Sequence, residues 1–302
     1  MVRKHHDKNA GRMGLGCKLI VHADDFGLSE KINQGILLAH QKGILTSTSI
    51  MAVGPAFEHA ITMSRLTPTL DIGVHLTLVG ARPLSAAHEV KSLLDQTGSF
   101  FCHAKEFSKH FLMGRINLHE VRREMEAQIK RVVNSGISIS HIDSHQHVHM
   151  LPKIFAVVCE LANDYDIRVV RFPYEKLDWE MFVRLPSVER ILQLLILNAF
   201  CYYTAKKYKK LLHTDHFAGF LFGGNLNKRN LRLILEKLFH SGSFELMCHP
   251  GLNDLQSHYL HWNYKWEDEL EALLDENIHH LIEERGIRLI SYHDFLEKPN
   301  SF

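Results

Sequence analysis

His141-Ile142-Asp143-Ser144-His145-Gln146-His147-Val148-His149-Met150-Leu151-Pro152 carries a histidine or an aspartate at every second position from His141 to His149. In an extended strand alternate residues share a face, so His141, Asp143, His145, His147 and His149 are expected side by side. Imidazole and carboxylate are common ligands of divalent metals, and the run reads as half of a metal site at a strand end. For any single one of these residues, a surface histidine or a hydrogen-bonded core histidine is the plainer reading. The cluster with its central aspartate favours the metal.

Around this stretch, from Cys17 onward, short apolar runs alternate with helical patterns, which argues βα units around a mostly parallel sheet, an α/β fold. Strands are expected at Lys18 to His22, Ser47 to Val53, Asp71 to Leu78, Ile167 to Phe172, Phe244 to Cys248 and Arg288 to Ile290. Ser29 suits the N-cap of a first helix and Pro55 the first turn of a second. Asn117-x-x-Glu120 opens a helix with Glu126 and Lys130 spaced for an i,i+4 pair, and Pro152 opens another. One amphipathic helix is expected through Trp266, Leu270, Leu274, Ile278 and Leu281. Residues 79–116 show no clean period and read as an excursion of the kind that barrels carry on their catalytic rim.

A chain of 302 residues with 45% apolar content buries a large core, and its size suits one α/β barrel or two smaller domains. A net charge of +1 gives no basic footprint, so nucleic acid is not implied. The five cysteines are odd in number and lack CxxC spacing, which fits a reducing cytoplasm. Residues 1–16 have no apolar run long enough for a signal peptide and are expected to form a flexible tail.

Asp24, Asp25, His75, His145, Arg171 and His249 all fall at or just past the C-terminal ends of expected strands. That edge is where barrels and open α/β sheets assemble their chemistry. Taken singly, Asp24-Asp25 also reads as a helix-entry turn and Arg171 as a surface ion pair. Shared placement on one rim is harder to attribute to core packing.

His22-Ala23-Asp24-Asp25-Phe26-Gly27-Leu28-Ser29, Gly73 to Leu78 (GVHLTL), the 141–152 stretch and Cys248-His249-Pro250-Gly251 together resemble the YdjC-like carbohydrate deacetylases, which include chitooligosaccharide deacetylases. The likeness runs from Leu19 to Tyr292, and residues 97–135 also resemble the hopanoid-biosynthesis-associated branch of that family. The resemblance implies a (β/α) barrel-like deacetylase fold in a single domain over residues 17–302, and a homodimer. It implies one divalent metal ion, magnesium by family habit, on Asp25, His75 and His145, with Asp24 as general base. His249 stands where a rim histidine acts as the acid.

Hydrolysis of an N-acetyl amide asks for a nucleophilic water, an electrophile on the carbonyl oxygen and a proton for the departing amine. These residues can supply all three, with an N-acetylated sugar or oligosaccharide as substrate. Two imidazoles and one carboxylate suit zinc or another transition metal better than magnesium. A non-catalytic metal-binding or sugar-binding protein on the same scaffold is the alternative, and Asp24 argues against it, since a pure binder has no use for a spare carboxylate. A phosphoesterase wants clustered Lys or Arg for the phosphate, and Arg171 alone is on the rim.

Arg171 and Trp262 are the expected substrate contacts, Trp262 because alternating aromatics offer flat faces to sugar rings; Trp266 fits a core stripe. Ile191 to Ala205 is apolar but for Gln193, Asn198 and Thr204, and Lys206, Lys207, Lys209 and Lys210 follow it. It is short of the roughly twenty residues that span a bilayer. A buried helix or an interfacial one making peripheral membrane contact is the choice it leaves.

Overall fold

The computed structural model describes residues 16–176, 187–208, 211–238, 241–254 and 259–296. The expected tail lies outside these except for Gly16, as do Lys209 and Lys210. Its axis is β1 (Cys17–Phe26), whose apolar residues are buried on both faces, as a strand sandwiched between helix layers requires. Around it stand β2 (Ser47–Ile50), β3 (Asp71–Leu76), β4 (His141–Ser144), β5 (Val169–Val170), β6 (His216–Ala218), β7 (Gly242–Cys248) and β8 (Arg288–Leu289). The path β5-β4-β3-β2-β1-β7-β6, with β8 added to β1, is parallel at every strand pairing among the described residues. It curves into a half-barrel, and isolated parallel bridges join Val169 to Leu212 and Glu175 to Phe217 across the gap between the end strands.

Helices flank the sheet: α1 (Glu30–Lys42), α2 (Phe57–Leu66), α3 (Ala104–Leu112), α4 (Leu118–Asn134), α5 (Pro152–Asp164), α6 (Val188–Lys207), α7 (Lys228–Lys237), α8 (Trp266–Leu273), α9 (Glu276–Glu284) and α10 (Tyr292–Leu296). Side-chain oxygens start four of them by accepting an orphan backbone N–H: Ser29 from Ile32, Asn117 from His119, Asn227 from Asn230 and Asp275 from Asn277. Each such cap is worth about 1 kcal/mol. Asp275 also divides the expected long helix into α8 and α9, because its side chain caps the second segment at the point where the first ends. The Glu126–Lys130 pair forms at 2.8 Å.

The His-rich stretch departs most from expectation. Its strand ends at Ser144, and Gln146 and His147 take positive φ values of 52° and 53° in a 3-10 turn over His145–Met150. Alternation therefore stops after Asp143, and the five side chains do not share a face. The expected strand at Ile167 to Phe172 is ladder-paired only over Val169–Val170. The 79–116 excursion holds short 3-10 turns, an antiparallel bridge between Leu94 and Phe100, and α3.

Candidate active site

Neighbouring residues of a regular strand point to opposite faces, so Asp24 and Asp25 ought to diverge. They do not. The β1–β2 register shifts between Ala23 and Phe26, and Asp25 has φ +67°. A bulge of this kind re-aims a side chain. Asp24 Oδ2 and Asp25 Oδ1 come to 4.0 Å and 3.4 Å of the same atom, His75 Nε2. Gly27 N–H donates to Asn33 Oδ1 at 2.6 Å, and Asn33 Nδ2 donates to the Ala56 carbonyl, tying the turn after the bulge to α1 and α2.

Asp25, His75 and His145 bring one ligand atom each within 4.8 Å of one another, all buried. His145 Nδ1 is 3.0 Å from Asp25 Oδ1. Two overlapping groups, His22/His141/Asp143 and Asp24/His75/Asp143, meet the same distance criterion. Hydrogen bonding separates them. Both His22 nitrogens face serine hydroxyls, Ser47 and Ser49, at 3.1 Å. Asp143 accepts from Ser49 and faces His75 Nδ1 and Arg171, while both Asp24 oxygens accept from Arg171. Asp25, His75 and His145 include two buried atoms without a hydrogen-bond partner, Asp25 Oδ2 and His75 Nε2, where the other groups include one each, His141 Nε2 and His75 Nε2. Buried polar atoms without partners are costly, and a cation between them removes that cost. The donor set of two imidazoles and one carboxylate thus fits a divalent ion.

Charge supports the same fit. Asp24, Asp143 and Glu245 are buried around one guanidinium, that of Arg171, and Asp25 is buried beside His75 and His145. Burial alone would raise Asp25, yet His145 and His75 hold it well below the usual carboxylate range. Burial alone would lower His75; the Asp143 and Asp24 carboxylates overcome it and raise the imidazole to about 10. The cluster draws positive charge strongly, which a proton or a metal ion can supply.

Arg171, an expected substrate contact, is buried among carboxylates. It is 1% exposed, and its guanidinium donates to Asp24 through both terminal nitrogens at 2.9 and 2.7 Å and to Glu245 through Nε at 2.6 Å. A bidentate Arg–carboxylate pair fixes orientation as well as charge. Burial would raise Asp24, but Arg171 first, then His75, bring it below the ordinary value. What the structure shows of the expected sugar contact is a guanidinium that holds Asp24.

His249 follows β7 on the same rim, with Nε2 at 4.0 Å from Asp24 Oδ2. Its backbone N–H donates to Glu269 Oε2 at 2.5 Å, Glu269 lies 3.9 Å from its Nδ1, and the Tyr264 ring meets it edge-on at 4.8 Å. The loop is pinned because Gly35 of α1 lies against Gly251; a Cβ there would sit 2.4 Å from Gly251 Cα. Trp262 is half-buried and stacks on His145 with ring centroids 5.0 Å apart, next to Tyr259 and Tyr264. His149 is spent elsewhere, between Ser144 Oγ and the Arg171 carbonyl, and His147 packs against Phe217 and Phe220.

Sequence reasoning missed Ser49, Glu245 and Glu269. The first two had a signal: Ser47-Thr48-Ser49 and a lone Glu245 interrupt strands that are otherwise apolar. Glu269 stands in the acidic run Glu267-Asp268-Glu269, yet it is fully buried beneath His249 and the Leu226 amide.

A family model described as "YdjC-like protein" matches residues 18–284. A Geobacillus stearothermophilus protein named "Carbohydrate deacetylase" is 33% identical over 278 residues, covering 91% of this chain and 97% of its own. A Yersinia enterocolitica "Chitooligosaccharide deacetylase" is 32% identical, covering 91% and 98%. Among solved structures, an Enterococcus faecalis protein described as a candidate cellobiose-phosphate cleavage protein superposes with a TM-score of 0.74 at 30% identity, covering 93% of this chain and 99% of that one.

Proposed function

Because the chain belongs to the YdjC-like family, we propose that it is a carbohydrate deacetylase, a hydrolase that removes acetyl groups from an N-acetylated sugar or oligosaccharide. The observation that carries the reading is the pair of orphaned buried atoms, Asp25 Oδ2 and His75 Nε2, beside His145 and within reach of a second carboxylate.

Asp25, His75 and His145 are the proposed holders of one divalent ion. A divalent ion bound there lowers the pKa of water toward neutrality and polarises an acyl carbonyl. Magnesium follows the family and zinc the donor set; the choice belongs to a metal-replacement assay. Asp24, kept ionised and aimed by Arg171, takes the proton from the attacking water. His249, with Nε2 toward Asp24 and Nδ1 toward Glu269, gives a proton to the departing amine nitrogen. The amide C–N bond breaks, leaving acetate and a free amine. Trp262 offers a ring face to the sugar beside His145.

The test is acetate release from a panel of N-acetylated sugars and oligosaccharides after metal removal and readdition. Release that vanishes with the metal and returns with it supports the proposal. Tight sugar binding with no acetate from any substrate leaves a non-catalytic binder instead.

A further inference from the structure

Exposed large apolar side chains gather on α6. Val188, Leu192, Leu195, Ile196, Tyr202 and Tyr203 are open to solvent, Leu192 at 57%, Leu195 at 49% and Tyr202 at 63%, while Leu194, Leu197, Cys201 and Thr204 are buried. At 3.6 residues per turn the exposed set falls within an arc of about 120°, and the buried set lies on the opposite side. Of the two readings the stretch left open, neither holds for the whole helix: one face enters the core and the other is bare. Among the described residues no helix is long and apolar enough to cross a membrane.

The bare face is flanked by positive charge. Lys206 and Lys207 end the helix, Lys206 Nζ standing 4.1 Å from the Tyr202 ring centroid. A groove of about 390 Å³ opens beside them, lined by Lys153, Lys207, Tyr203 and Tyr208. Its acidic member, Glu160, is paired with Arg122 at 3.2 Å. The other end of the helix adjoins the site: Glu189 pairs with Lys105 of α3, and the neighbouring Ala104 N–H donates to Gln146, the residue after His145.

We propose that this face of α6 docks on an anionic lipid bilayer, lying in the plane of the surface. The apolar stripe enters the boundary between head groups and acyl chains, Tyr202 and Tyr203 meet both media with one ring each, and the lysines face lipid phosphates. Docked so, the chain holds its site mouth next to the membrane. The inference does not depend on the deacetylase reading, since binding is measured without turnover.

The experiment is sedimentation of the full chain with vesicles of phosphatidylglycerol and phosphatidylcholine, against vesicles of phosphatidylcholine alone. The anionic vesicles are expected to carry the protein down, about tenfold more strongly than the neutral ones, and high salt should weaken the binding. Leu192→Glu/Leu195→Glu is expected to lose it, and Lys206→Glu/Lys207→Glu to remove its salt dependence; unchanged far-UV spectra and melting verify that both fold. No sedimentation of the wild type, or undiminished sedimentation of Leu192→Glu/Leu195→Glu, overturns the proposal. So does a dimer that this variant dissolves in a wild type that ignores vesicles, because a second copy then covers the face.

Discussion

His75 Nδ1 lies 2.8 Å from Asp143 Oδ1, and the β3–β4 register sets the two residues directly opposite each other. An imidazole that gives its Nδ1–H to a carboxylate is fixed in one tautomer, with its Nε2 lone pair free for a metal. Asp143 is therefore expected to act on a metal it does not touch. Asp143→Asn should lower metal affinity by about 10–100-fold, the usual effect of losing such a partner. Competition with a chromophoric chelator measures it, and unaltered affinity would detach Asp143 from the site.

Arg171 separates two roles that kinetics can tell apart. As the residue that holds Asp24, it should affect turnover; as a sugar contact, it would affect KM. Arg171→Lys keeps the charge but loses the bidentate fork, so kcat should fall by about tenfold or more with KM nearly constant. Arg171→Met leaves buried carboxylates unpaired and is expected to cost about 3–5 kcal/mol of stability in urea unfolding.

Trp262 stacked on His145 forms one wall at the site. Trp262→Ala should raise KM for the best glycan by about two- to tenfold, the worth of one aromatic face, while kcat changes little. Steady-state kinetics in which neither constant moves would remove the contact.

Glu175 is buried beyond β5, where its Oε2 accepts from the Phe220 and Leu221 amides at 2.7 and 3.3 Å. Burial raises its carboxyl from 4.5 to about 7. The folded state thus holds this proton more tightly than the unfolded chain does. Its contribution is complete below the unfolded pKa and is lost as pH rises through the folded one, a decline on the order of 3 kcal/mol. Glu175→Gln should remove that decline, so denaturant unfolding at about pH 5 and about pH 8 ought to show a smaller difference in the variant than in the wild type.

Much of this was legible in the sequence because parallel βα architecture is written in long-range alternation. Most strands, the caps at Ser29 and Asn117 and the common rim of Asp24, Asp25, His75, His145 and His249 follow from patterning and motif order. What escaped were features set by local backbone geometry or by partners distant in the chain. The period of two through His149 is broken by the left-handed turn at Gln146 and His147, which residue type does not dictate. The Asp24–Asp25 bulge that aims both carboxylates inward is likewise invisible in a string of letters. Arg171 looked like a rim cation because its partners Asp24, Asp143 and Glu245 come from three other strands, and only the closed geometry shows that they saturate it.

Parallel metal content and acetate release for Asp24→Asn and Asp25→Asn test the central claim most directly. Asp24→Asn should keep the metal and lose about 10²–10⁴ in rate, the contribution of a positioned general base, and added metal should not restore it. Asp25→Asn should bind metal weakly, since a neutral amide is a poorer ligand, and recover part of its rate in excess metal. Metal loss in Asp24→Asn with retention in Asp25→Asn would reverse the two roles. Wild-type turnover with metal bound in both would contradict the account.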